Sequence, residues 1–123
     1  MPYQITEEAA FFRVVFFDDM TGHDLQSLAD ALAAIEDALP VAPNRLTDLS
    51  QVSGRDLTYA DMLAYVERRT AQRLANAVKC AIVAPRPVQL GFARMFQILS
   101  EHPQMEVALF ATLEEAEAWL AST

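Results

Sequence analysis

The 123-residue sequence predicts an α/β fold with a mixed, mostly parallel sheet and about four helices, in the order ββαβαβαβα. Three observations predict it. The apolar spacing switches repeatedly between a period of two and one of about 3.6. Prolines at positions 40, 43, 85, 87 and 103 stand close to these switches. Finally, Thr21 with Asp24, Thr58 with Asp61 and Thr112 with Glu115 each place a hydroxyl three residues before a carboxylate. Such pairs have the form of capping boxes, in which each side chain satisfies a backbone N–H that a helix start leaves unpaired. Alternating strands and helices require a largely parallel sheet covered by helices, while a short turn between two strands makes an antiparallel hairpin.

The elements follow in order. Tyr3 to Thr6 and Phe11 to Phe17, joined by a turn through residues 6–10, form the N-terminal hairpin, because FFRVVFF is rich in β-branched and aromatic residues. Leu25, Leu28, Leu32, Ile35 and Leu39 recur at steps of three and four and mark an amphipathic helix that ends at Pro40. Arg45 to Val52 is a strand running into a polar loop. A second helix is expected over Tyr59 to Ala75, with an apolar side through Met62, Val66 and Leu74 and a basic side. Val78 to Ala84 has the continuous apolar character of a strand covered on both faces, stopped by Pro85. A third helix, Val88 to Glu101, leads past Pro103 into the strand Met105 to Phe110. The last helix starts after Thr112 and turns Leu113, Ala116, Trp119 and Leu120 towards the core. No repeat, linker or low-complexity segment interrupts residues 1–123, so a single domain is expected.

Composition excludes several classes. The chain is 53% apolar with only three glycines, which is incompatible with intrinsic disorder. A net charge of −8 argues against non-specific binding to nucleic acid or an anionic membrane. No stretch approaches the roughly 18 apolar residues of a membrane span, and the N-terminus lacks the basic and apolar regions of a signal peptide. The single cysteine, Cys80, excludes an internal disulfide framework. A cytoplasmic location is expected.

Enzyme chemistry finds little support. His23 falls in the first turn of the first helix and His102 just before Pro103, and neither has a partner at metal-ligand spacing. Cys80 lies inside a strand, where a free thiol behaves as a small hydrophobe and lacks a base to activate it. Gly22, Gly54 and Gly91 do not cluster into a phosphate loop. The acidic pairs 7–8, 18–19 and 114–115 read as solvated loop and helix-start residues. No catalytic residue, metal or cofactor is expected.

The segment Asp48-Leu49-Ser50-Gln51-Val52-Ser53-Gly54-Arg55-Asp56-Leu57-Thr58 is more informative. A strand ending in Asp-Leu-Ser-x-Val, followed by an Asp and a hydroxyl residue opening a helix, resembles the STAS domain, named for sulphate transporters and anti-sigma-factor antagonists. The element order matches over essentially the whole chain. Ala81-Ile82-Val83-Ala84-Pro85, Gly91-Phe92-Ala93-Arg94-Met95-Phe96, Phe110 and Glu115-Ala116-x-x-Trp119-Leu120 resemble the bacterial SpoIIAA-like branch, related to the SEC14 lipid carriers. The resemblance implies a STAS/SpoIIAA-like single domain. It also implies that a serine opening the second helix is phosphorylated by a partner kinase, which switches binding off. The family pattern there is Asp-Ser-Ser-Gly, whereas this chain has Asp56-Leu57-Thr58-Tyr59. Thr58 keeps a hydroxyl, but Leu57 replaces a serine and Tyr59 adds bulk in place of glycine. Phosphate at a helix N-terminus is electrostatically favourable; the simpler reading of Thr58 is a helix cap.

Two further features bear on partners. Residues 55 to 94 hold seven of the nine basic residues and three of the seventeen acids, a net of +4 that leaves −12 elsewhere. Arg68, Arg69 and Arg73 make a candidate anionic contact on the second helix, or else a solvated face. The third helix is apolar on more than one side: Phe92, Met95 and Phe96 suit core packing, a homodimer face or the wall of an apolar pocket. Phe11, Val15 and Phe17, opposite to Phe12, Val14 and Phe16 along their strand, pose the same choice. The sequence therefore points to a non-enzymatic regulatory or protein-interaction module. Its recognition surface would include Asp56 and Thr58, and its partner would be a kinase or anti-sigma-type protein. The alternative is a small carrier or sensor of apolar, lipid-like ligands.

Overall fold

The computed structural model describes residues 2–53, 56–100 and 102–122. Gly54 and Arg55 of the loop before the second helix, and Glu101 at the expected end of the third, lie outside the described residues. The elements are β1 (Tyr3–Glu7), β2 (Phe11–Asp18), α1 (Gly22–Ala38), β3 (Asn44–Val52), α2 (Tyr59–Ala71), β4 (Val78–Val83), α3 (Pro87–Leu99), β5 (Met105–Phe110) and α4 (Leu113–Ala121). The order ββαβαβαβα is the one the sequence predicts.

The five strands lie in sequence order, β1-β2-β3-β4-β5. β1 pairs antiparallel with β2, and the remaining pairs are parallel. Because each parallel crossover steps in the same direction and carries the same hand, α1, α2 and α3 fall on one face of the sheet. There α1 packs on α2 and α2 on α3, while α4 packs against β3, β4 and β5 over a separate cluster. The sheet thus has no point where the strand order reverses, the usual origin of a ligand crevice in open α/β sheets.

Strand alternation sorts the side chains. Phe16, Val14, Leu49, Cys80 and Ile82 join Leu25, Leu28 and Leu32 of α1 beneath the three helices. Burial of each such leucine contributes about 1.5–3 kcal/mol. On the opposite face Leu46, Ala81 and Val83 meet Ala116 and Leu120 of α4, with Phe11, Phe110 and Trp119 at the margin. Phe12, Val14 and Phe16 accordingly face the three helices, Phe11 is taken by α4, and Val15 and Phe17 stay half-buried.

The expected caps form at α1 and α2, where Thr21 and Thr58 exchange hydrogen bonds with Asp24 and Asp61. At α4, Thr112 accepts from the Glu115 amide, but Glu115 takes the Thr112 hydroxyl instead of its backbone N–H. One boundary differs from expectation by more than two residues. α2 ends at Ala71, four residues early, because the next backbone groups bond elsewhere. The Gln72 carbonyl accepts from His102 Nε2 at 2.6 Å, and Gln104 bonds both the Leu74 N–H (3.0 Å) and its carbonyl (2.6 Å). His102 is therefore a buried structural residue, its Nδ1 accepting from the Gln104 amide at 3.0 Å.

Candidate functional site

The three groups of residues singled out from the sequence are dispersed differently by the fold. Asp56 and Thr58 are both exposed at the start of α2. Thr58 Oγ1 accepts the Asp61 N–H at 3.1 Å, and Asp61 Oδ2 accepts the Thr58 N–H at 3.0 Å, so the hydroxyl is a working helix cap. The same end of the sheet is knit together by polar contacts. Ser53 hydroxyl bonds Asp19, the Ser53 N–H reaches the Asp18 carbonyl at 2.8 Å, and Asp18 takes a left-handed φ of 51° to present it. Within the Asp-Leu-Ser segment, Asp48 Oδ1 accepts the Ser50 N–H at 2.9 Å, a local contact inside β3 where its register with β2 shifts.

Arg68, Arg69 and Arg73 do not share a surface. Arg73 lies exposed beyond the end of α2, so it is not on a helical face with Arg69. Arg68 reaches across to α1, to Asp30 Oδ1 at 2.5 Å and the Gln26 side chain at 3.0 Å. Arg69 is 2% exposed and grips Glu36 of α1 by both terminal nitrogens, at 3.0 and 2.6 Å. The basic side expected of α2 is therefore partly a buried contact between α1 and α2.

Phe92 and Phe96 turn inward from α3, with Phe96 tilted against Tyr65 of α2 at 6.1 Å between ring centres. Together they help to line a cavity between the sheet and the α2–α3 pair. Met95 packs against the same core but lies outside the cavity wall. The apolar side chains that α3 leaves to solvent are Val88 and Ile98.

The cavity measures about 50 Å³. Thr47, Cys80 and Ala93 bring small side chains to its wall from β3, β4 and α3, among the larger Leu49, Leu57, Met62 and Ile82. On the same measure one water needs roughly 10–15 Å³ and benzene occupies a cavity of about 150 Å³, so there is room for a few non-hydrogen atoms. Thr47 lies mid-strand between the buried Val14 and Ile82, yet is itself only half-buried, so solvent reaches it through the cavity.

One residue of this apolar wall is charged. Arg45 of β3 is 7% exposed. Among the described residues its Nη2 meets only sulphur acceptors, Cys80 at 3.8 Å and Met105 at 3.6 Å, and Nη1 stands 3.7 Å from Glu36 Oε2. Burial opposes the charge, but the pull of Cys80, Tyr65 and Glu36 in their charged forms outweighs it, and the guanidinium pKa lies above its ordinary value. Burial also pushes the Tyr65 phenol above its ordinary value, against the pull of Arg45 and Arg69. The sequence reading missed Arg45. The signal was its parity: it shares a strand face with Thr47 and Leu49, which a covered strand turns inward.

A second buried polar residue ties the site to the sheet end. Gln89, 1% exposed, donates from Nε2 to the Val52 carbonyl at 3.1 Å and accepts the Arg86 N–H at 3.2 Å. It ties the start of α3 to the end of β3. Among the described residues no group of three His, Cys, Asp or Glu could hold a metal ion, and no helix is long and apolar enough to cross a membrane.

No family model and no curated protein matches the chain. Among solved structures, the chain is similar to an uncharacterised protein from the DUF3478 family with a SpoIIAA-like fold from Shewanella loihica PV-4. The TM-score is 0.62 at 15% identity, covering 97% of this chain and 92% of that one. With its antiparallel β1–β2 pair and parallel remainder, the chain has the SpoIIAA-like α/β fold.

Proposed function

We propose that this chain is a non-enzymatic binding module that senses a small, largely apolar ligand held between the sheet and the α2–α3 pair. The observation that carries the reading is the cavity itself, whose wall combines Phe92 and Phe96 of α3, Met62 and Tyr65 of α2, and Leu57 of the loop before α2. Leu57 lies between Asp56 and Thr58, both of which face solvent. A ligand that moves Leu57 must move the exposed residues beside it, so occupancy is presented to a protein partner at the start of α2. This joins the two functions the sequence points to, ligand binding and regulation by protein contact. A whole lipid exceeds the available volume, which favours a sensor over a bulk carrier.

Ala93 stands on the wall at 1% exposure, so Ala93→Leu fills the space from α3 while residues 56–58 keep their identity. The test is a two-dimensional amide spectrum titrated with short alcohols and short fatty acids. The expected result is saturable shifts around Cys80, Phe92 and Phe96 that extend to residues 56–58 and vanish in Ala93→Leu. Shifts confined to the exposed surface, or unchanged in Ala93→Leu, overturn the reading.

A further inference from the structure

Two guanidinium groups are buried beside one carboxylate. Glu36, its side chain 8% exposed, has both oxygens bonded by Arg69, which leaves Arg45 at 3.7 Å without a close oxygen acceptor among the described residues. A buried cation of this kind is stable only when paired and hydrogen-bonded, and sulphur is a weak acceptor. The group nevertheless keeps its charge and forms part of the wall of a cavity that is otherwise almost wholly apolar. Thr47 and Tyr65 are the two hydroxyl-bearing residues of that wall. A positive charge at an apolar cavity that shares its one close carboxylate with a second cation is complementary to one class of molecule, an anion with a short hydrocarbon body.

We propose that the cavity is a receptor for a small organic carboxylate, its head group paired with Arg45 and its hydrocarbon body against Ile82, Phe92 and Phe96. The inference deepens the ligand-sensing reading and rests on it. A carboxylate brings the buried charge of Arg45, Arg69 and Glu36 to zero, and a planar guanidinium offers it two parallel N–H donors. A neutral ligand of the same shape leaves Arg45 as it stands, and an inorganic anion leaves the apolar wall unfilled.

The experiment compares acetate, ethanol and formate, which match the small volume of the cavity, by amide-shift titration of the full chain. The wild type is measured beside Arg45→Met and Arg45→Lys, each checked for an unchanged fold by circular dichroism. The wild type is expected to bind acetate about tenfold or more tightly than ethanol, the margin of a charge-assisted hydrogen bond over a neutral one. Formate is expected to bind more weakly than acetate. Arg45→Met should bring acetate and ethanol within about twofold of each other, with Arg45→Lys intermediate because it keeps the charge and loses the fork. Equal binding of acetate and ethanol in the wild type, or a preference that survives Arg45→Met, overturns the carboxylate assignment and leaves the cavity reading standing. Formate binding as tightly as acetate overturns the requirement for a hydrocarbon body. If no probe shifts the cavity residues, the ligand-sensing reading fails and the carboxylate assignment falls with it.

Discussion

Glu36 Oε2 accepts from Arg69 Nη2 at 2.6 Å and stands 3.7 Å from Arg45 Nη1, so one carboxylate holds two buried cations and binds only one of them closely. Removing the carboxylate and removing a cation are therefore unequal changes. Glu36→Gln leaves two guanidiniums facing each other without a counter-charge, and the expected loss is about 3–5 kcal/mol in urea unfolding. Arg45→Met removes the cation that lacks an oxygen partner and fills similar space with an apolar chain. It should cost far less than Glu36→Gln, about 1 kcal/mol or nothing. Equal losses would show that Arg45 and Arg69 draw equally on Glu36.

Tyr65 sets an alkaline limit on stability. Its folded pKa is raised above the ordinary 10.0 by burial, despite the two nearby arginines. Above about pH 10 the unfolded chain releases this proton while the folded chain still holds it, so stability falls as pH rises. Below that value both states are protonated and the contribution is complete. Urea midpoints of the wild type should drop between pH 9 and pH 11 more steeply than those of Tyr65→Phe. Parallel curves would mean that the phenol is not held protonated by burial.

Lys79 crosses the sheet face opposite the cavity and reaches the end of α4. Its Nζ donates to the carbonyls of Trp119 at 3.3 Å and Ser122 at 2.9 Å, and lies 5.0 Å from the Trp119 ring centre. A cation at a helix C-terminus and over an indole is favourable on both counts. Lys79→Met should cost about 1 kcal/mol, and since Trp119 is the only tryptophan, its fluorescence reports the change directly. Unchanged emission and an unchanged unfolding midpoint would place the ammonium in solvent instead.

Local signals carried most of the fold. The paired hydroxyl and carboxylate at Thr21–Asp24 and Thr58–Asp61 are three residues apart, and both caps form as the spacing implies. The end of α2 was not legible, because the groups that draw the chain away, His102 and Gln104, come 30 residues after the backbone they bond. Arg69 misled for the same reason: its partner Glu36 lies 33 residues upstream, and a sequence pattern cannot show which face a helix turns to a neighbour. Phe92 and Phe96 were recognisable as excess apolar surface. The space they border was not, since it depends on Thr47, Cys80 and Ala93 meeting from three elements.

Gly22 opens α1 where α2 begins. A methyl group built at its α-carbon would fall 2.7 Å from Asp61 Cγ, well inside van der Waals contact, so the two helix starts approach through the missing side chain. Asp61 cannot yield freely, because it holds the Thr58 N–H and donates its own N–H to the Thr58 hydroxyl. Alanine ordinarily improves a helix over glycine by about 1 kcal/mol. Here Gly22→Ala should instead destabilise by about 1–2 kcal/mol, since it displaces the cap of α2. Asp61→Ala alone removes the carboxylate and should cost about 1 kcal/mol. With Asp61 truncated, the alanine at position 22 meets only the remaining β-carbon at 3.3 Å, which a shift of a few tenths of an ångström relieves, so the double variant should be about as stable as Asp61→Ala. That non-additivity is the signature of two residues competing for one space. Additive losses in urea unfolding would show that Gly22 is required for its backbone and not for the room it leaves to Asp61.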